Sequence, residues 1–162
     1  MLDREGGGIV EELCCSRAEV LLVDDIMFNL IPLKALMECN FKQQTCDMAS
    51  DGSMAVDLYL RNIKKTCCNV RYKLILTDIQ MPIMDGITEA RQIKVHEKAL
   101  LEQNPSLPTV RIVMVSAYEG AESMQELRQI GVHDYLQKPV SLDGLIPICN
   151  EVWPGKNFGL GE

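Results

Sequence analysis

Four short apolar runs, each leading to a polar residue, constrain this chain more than any other feature. Val20-Leu21-Leu22-Val23 stops at Asp24-Asp25, and Leu74-Ile75-Leu76 leads to Asp78. Ile112-Val113-Met114-Val115 stops at Ser116, and Tyr135-Leu136 lies just before Lys138. The runs are rich in Val, Ile and Leu and lack alternation, the pattern of parallel strands buried on both faces. Residues 43–48 are more polar and alternate, which suits an edge strand. Between the runs lie stretches with helical spacing. Leu30, Leu33, Leu36 and Met37 share a face of a first helix, where Pro32 is tolerated if it falls in the first turn. Met54, Val56, Leu58 and Leu60 mark a second, starting after Asp51-Gly52, and Ile87, Ala90, Ile93 and Lys94 open a third. Met124, Leu127 and Ile130 mark a fourth, which Gly131 can end. A fifth starts near Ser141 or Leu142 and runs to Trp153, with Pro147 expected to kink it or delay its start.

Strand and helix therefore alternate five times. That order predicts an α/β fold with a parallel sheet, helices on both faces and right-handed crossovers. Ligands of such sheets sit at the carboxyl ends of the strands. The polar residues fall at that edge: three carboxylates (Asp24, Asp25, Asp78), the hydroxyl of Ser116 and the ammonium of Lys138. Any one acid after a strand reads better as a helix N-cap. Two adjacent acids plus a third on another strand are harder to dismiss, because clustered carboxylates repel unless a cation binds. A hard divalent ion with oxygen ligands relieves this, and Mg²⁺ is the cytosolic default. A carboxylate beside such an ion can act as a nucleophile toward phosphorus.

The 162 residues suffice for one domain with a little left over. We expect a flexible lead-in over 1–18, a domain over 19–153 and a tail over 154–162. A net charge of −7 argues against nucleic-acid binding, which needs a basic face. No apolar run is long enough to cross a membrane, and no signal peptide is visible, so a cytoplasmic setting without membrane contact is expected. Seven cysteines with no Cys-x-x-Cys pair argue against zinc and for free thiols.

Four motifs carry a resemblance to the receiver domain of two-component response regulators. They are Leu21-Leu22-Val23-Asp24-Asp25, the loop Asp78-Ile79-Gln80-Met81-Pro82-Ile83-Met84-Asp85-Gly86, Val115-Ser116-Ala117, and Gly131-Val132-His133-Asp134-Tyr135-Leu136-Gln137-Lys138-Pro139. The resemblance covers about residues 19–153. It implies a flavodoxin-like (βα)5 fold with strand order 2-1-3-4-5, and a chain that is not a conventional enzyme. It implies Asp78 as phosphoacceptor, with Mg²⁺ held by Asp25, Asp24 (directly or through water), Asp78 and the main-chain carbonyl of Gln80. Lys138 would clamp the phosphoryl group across a cis bond to Pro139, and Ser116 and Tyr135 would form a switch pair. Tyr135 also fits a plain core aromatic. The implied partner is a histidine kinase or histidine phosphotransfer domain, because neither His96 nor His133 reads as the donor. A monomer or weak dimer is expected.

Residues 62–71 and 96–109 are longer than the family's compact form and read as surface insertions, similar to those in receivers of hybrid histidine kinases. The main rival is a pseudo-receiver that only binds proteins, although every key residue is present. An aspartate-nucleophile phosphatase would need an acid at the position of Gln80. A nucleotide or flavin carrier would need a phosphate-binding loop, which Asp24-Asp25-Ile26-Met27 is not.

Overall fold

The computed structural model describes residues 16–41, 44–117 and 124–159. Most of the expected lead-in, the start of the second run at Gln43, and Cys14 and Cys15 lie outside them. Among the described residues ten elements follow in strict alternation: β1 (Val20–Val23), α1 (Met27–Asn40), β2 (Cys46–Ala49), α2 (Gly52–Lys64), β3 (Leu74–Asp78), α3 (Gly86–Gln103), β4 (Arg111–Ser116), α4 (Met124–Gln129), β5 (Asp134–Gln137) and α5 (Leu142–Val152). All strand pairs are parallel, in the order β2-β1-β3-β4-β5. Both the doubly wound fold and the strand order match the expectation.

The absence of alternation in the central strands now has its cause. Leu21, Val23, Ile75, Ile112 and Met114 face one core with Ala55 and Tyr59 of α2, Ala90 and Ile93 of α3, and Leu127 of α4. Val20, Leu22, Leu74, Leu76, Val113 and Val115 face the other with Leu30 and Met37 of α1 and Leu145 and Ile148 of α5. Side chains on a strand point alternately to its two faces, so a strand buried on both must be apolar at every position. On α2 the buried stripe includes Val56 and Ile63, while Met54 is exposed.

Both internal prolines lie within their helices. Pro32 and Pro147 are each the sixth residue of an unbroken helix, so Pro32 is past the first turn and Pro147 does not delay α5. Each removes the donor for the carbonyl four residues earlier, on Phe28 and Asp143. Both of those residues are exposed, so water can take the place of the missing N–H. Helix starts are fixed by side-chain caps: Asp51 accepts from Met54 N, Asp85 from Thr88 N and Ser141 from Gly144 N. Gly131 ends the turn after α4 at φ 91°, a left-handed conformation that favours glycine.

The two insertions are more built than a surface loop. Residues 62–64 finish α2 and residues 96–103 extend α3. Arg71 donates to the carbonyls of Lys65, Cys68 and Val70, and Asn62 Oδ1 accepts from Tyr72 N. Buried Glu97 accepts from Val110 N and from Lys94, which closes the second insertion onto the core. Cys39, Cys46 and Cys149 are free, and burial pushes the Cys46 and Cys149 thiols up to about 12. Cys67, by contrast, is disulfide-bonded, which corrects the expectation of free thiols throughout. Disulfides depend on nearness in space, which the spacing of cysteines does not reveal.

Beyond α5 the chain folds back. Asn150 Oδ1 accepts from Phe158 N, and Asn150 Nδ2 donates to Phe158 O. The Phe158 ring meets Phe41 edge-on at 4.9 Å and Trp153 at 6.4 Å. Phe158→Ala should cost about 2 kcal/mol and lower the melting temperature by about 4–8 °C in a thermal scan, with Phe158→Leu recovering most of it.

Candidate functional site

Strand register sets the site. Val23 is level with Thr77 across β1 and β3, so Asp24 and Asp78 come out side by side at the carboxyl rim. Asp78 is level with Val115, so Ser116 follows one step above it. Ser116 is level with Gln137, and Lys138 N donates to Ser116 O at 2.8 Å as β5 ends. Four strands thus deliver the residues singled out from sequence to one rim.

Lys138 joins them. Its Nζ lies 2.6 Å from Asp24 Oδ2 and 2.7 Å from Asp78 Oδ2. Burial works against the lysine's charge, but the hydrogen bonds to Asp24 and Asp78 and their charges outweigh it and raise the pKa above the ordinary value. A raised lysine pKa stabilises the fold at all pH values below the ordinary lysine range, and the effect is lost as pH rises through the folded value. The Lys138–Pro139 bond is cis.

Asp24 and Asp78 are buried, and Asp25 is exposed. Each offers a carboxylate oxygen, and these lie within 4.8 Å of one another. Asp24 is held from below: Ile26 N donates to Oδ1 at 2.8 Å, and Asn29 Nδ2 reaches both oxygens at 3.1 and 3.0 Å. Gln80 N donates to Asp78 Oδ1 at 3.2 Å, which brings the Gln80 main chain back over the carboxylate. Ser116 is buried, and Tyr135 is packed partly buried against the core formed with α2, α3 and α4. The donors are all hard oxygens carrying three negative charges against one ammonium, and one acid is open to solvent. That set fits a small divalent cation.

The surroundings are apolar. Met27, Phe28 and Ile31 on α1 are exposed, Phe28 by 87%, although α1 also buries Leu30 and Met37. A groove of about 510 Å³ beside Asp24 and Lys138 is lined by Phe28, Pro32, Leu33, Pro139 and Val140. Across the rim Ile83 is 85% exposed at φ 70°, a strained backbone for a β-branched residue. Neither histidine competes for the site. His96 is exposed on α3, and His133 Nδ1 accepts from Ile112 N.

The sequence reading overlooked two features. Asn29 anchors Asp24 from the first turn of α1. Glu89, beneath the loop after Asp78, is fully buried against Thr77. A signal existed for Glu89, since it lies four residues before the core residue Ile93.

The chain belongs to the response regulator receiver domain family, whose model matches residues 20–150. It is a receiver domain of two-component signalling. It is 30% identical to two-component response regulator 24 of Arabidopsis thaliana, over 85% of each chain. It is 33% identical to hybrid signal transduction histidine kinase B of Dictyostelium discoideum over 79% of this chain, but it spans only 6% of that protein. The receiver domain of Saccharomyces cerevisiae Ssk1, crystallised with the histidine phosphotransfer protein Ypd1, superposes with a TM-score of 0.68 at 25% identity, covering 86% of this chain and 94% of that one. No helix among the described residues is long and apolar enough to cross a membrane.

Proposed function

We propose that this receiver takes a phosphoryl group from a phosphohistidine onto Asp78 with the help of Mg²⁺, and that the change alters its partner-binding face. The observation that carries this reading is the Lys138 ammonium set between Asp24 and Asp78, with Asp25 beside them. In the reaction a carboxylate oxygen of Asp78 forms the new O–P bond. The P–N bond to the donor imidazole breaks, and the imidazole leaves with a proton. Asp25 and Asp78 would hold the cation directly with the Gln80 main-chain carbonyl, and Asp24, whose oxygens already accept from Asn29, Ile26 and Lys138, would act through water. A cation held there would supply positive charge to neutralise phosphoryl oxygens. Lys138 pairs with the phosphoryl group from the other side, and the Ser116 hydroxyl donates to one of its oxygens. Tyr135 then follows Ser116 inward, a two-state change that favours one partner over another.

The donor is a histidine phosphotransfer domain or kinase, docked on the exposed apolar start of α1. An apolar patch rimmed by polar residues beside the acidic site favours this, as does the yeast receiver crystallised with such a protein. We read residues 19–153 as the signalling domain. A pseudo-receiver would share the fold but would not need Lys138 bridging the acids.

Intact mass after incubation with acetyl phosphate decides between them. The chain with Mg²⁺ should gain the mass of one phosphoryl group. Asp78→Asn, or the same chain with a chelator, should gain none. A folded, Mg²⁺-binding protein that gains no mass from either acetyl phosphate or a phosphorylated phosphotransfer protein would sink the proposal.

A further inference from the structure

The underside of the loop after Asp78 holds an acid that the reaction above does not use. Glu89 lies in the first turn of α3 and is fully buried. Its Oε2 is 2.6 Å from Thr77 Oγ1, and its Oε1 has no hydrogen-bond partner among the described residues. The charged groups among the described residues that act on it are Asp51, the cap of α2, and Asp85, the cap of α3. Both are acids. Burial pushes Glu89 up to about 8, the Thr77 hydrogen bond opposes this, and the two acids add to the rise. Its carboxyl is therefore neutral at pH 7 and ionises only as pH passes about 8.

The partners decide where the proton sits. On Oε1 it would be a buried donor with no acceptor, which is costly. On Oε2 it is donated to Thr77 Oγ1, leaving only an acceptor lone pair unused. Thr77 then turns its own hydroxyl proton to the main-chain oxygen of Asp78, 3.3 Å away. That oxygen belongs to the peptide joining Asp78 to Ile79. The start of α3 presses on the same peptide, since a Cβ added at Gly86 would lie 2.2 Å from Asp78 O, and Gly86 N holds the next peptide by donating to Ile79 O at 3.0 Å.

We propose that Glu89 and Thr77 are a positioning pair for phosphoryl transfer: Glu89 donates to Thr77, and Thr77 donates to the Asp78 carbonyl, fixing the peptide plane from which the phosphoacceptor carboxylate projects. The inference rests on the reading of Asp78 as phosphoacceptor. When Glu89 ionises it accepts the Thr77 proton instead, and the Asp78 carbonyl loses its donor. Glu89→Gln keeps an N–H donor and cannot titrate, whereas Glu89→Leu and Thr77→Val break the relay.

The test is the rate of phosphorylation by acetyl phosphate with Mg²⁺ from about pH 6 to about pH 9.5, for all four proteins. The wild-type rate should fall about tenfold through a midpoint near 8. Glu89→Gln should match the wild type within about twofold at neutral pH and lack the fall, and the Leu and Val variants should be about tenfold slow at every pH. A second readout needs neither metal nor donor. The Ile79 backbone amide resonance should move with pH through the same midpoint in the wild type and stay fixed in Glu89→Gln. An alkaline fall that persists in Glu89→Gln, or a folded Glu89→Leu as fast as the wild type, overturns the pair alone. A wild type that accepts no phosphoryl group overturns the phosphoacceptor reading and the pair's role with it, even where the Ile79 titration is seen.

Discussion

Lys138→Met should slow phosphorylation of this chain by at least about a hundredfold and, in the same protein, tighten its binding of divalent cations. Both effects come from one charge. Lys138 Nζ lies within hydrogen-bonding distance of Asp24 and Asp78, so it neutralises part of the charge that a cation would otherwise meet alone. A unit charge about 5 Å away at an effective dielectric of about 20 is worth about 3 kcal/mol, and solvent at the open side of the site reduces that to about tenfold in affinity. The same ammonium is the group that would face the transferring phosphoryl oxygens, where charge grows as the bond changes. Methionine keeps the length of the side chain but supplies neither charge nor donor. Mg²⁺ titration by calorimetry and phosphorylation followed by intact mass separate the two effects. Tighter cation binding with slower transfer is the expected pair of results. If Lys138 only held Asp24 and Asp78 together, the bound cation would replace it and the rate would recover at saturating Mg²⁺, which would refute its role in transfer.

The rim was legible because register in a parallel sheet is rigid. Once Val20–Val23, Leu74–Asp78, Arg111–Ser116 and Asp134–Gln137 are strands, the residues at their ends must meet at one edge. What stayed hidden depends on contacts between elements. From sequence, Pro32 is expected in a first turn and Pro147 to kink α5 or delay its start, yet each frees only a carbonyl at an exposed turn, and helix position alone does not say which turn faces water. Residues 154–159 carry the glycines and proline of a tail, but a single aromatic, Phe158, finds Phe41 more than a hundred residues away in sequence. Residues 96–103 looked like an insertion because they exceed the family's usual length, although they continue the helical spacing of Ala90, Ile93 and Glu97. Glu89 sits on that same stripe. A carboxylic acid at a core position either has a charged partner or carries a proton, and among the described residues the charges that act on Glu89 are acids, which favours the proton.

Gly86→Ala should lower stability by about 3 kcal/mol or more, a fall in melting temperature of about 6–12 °C, and should abolish rapid phosphorylation even in the folded fraction. A Cβ at this position would lie 2.2 Å from the Asp78 carbonyl oxygen, 3.0 Å from its carbon and 3.2 Å from Thr77 Oγ1. The first two are backbone atoms of a fully buried strand and have no rotamer to escape into. Something larger must move: either α3 lifts off β3, breaking the Gly86 N–H bond to Ile79 O, or the Asp78 peptide rotates. The first loses burial of Ala90 and Ile93 in the core. The second tilts the carboxylate that Lys138 and Gln80 hold. Gly86 is in the first turn of a helix and its φ lies outside the left-handed region, so the cost is steric and backbone freedom plays no part. Gly144 gives the control, because a Cβ there would meet only side-chain atoms, the nearest at 3.1 Å. Gly144→Ala should melt within about 1 kcal/mol of the wild type and keep its phosphorylation rate. Equal losses at the two positions would mean that alanine at helix starts, and not the approach of α3 to the Asp78 carbonyl, is what the fold resists.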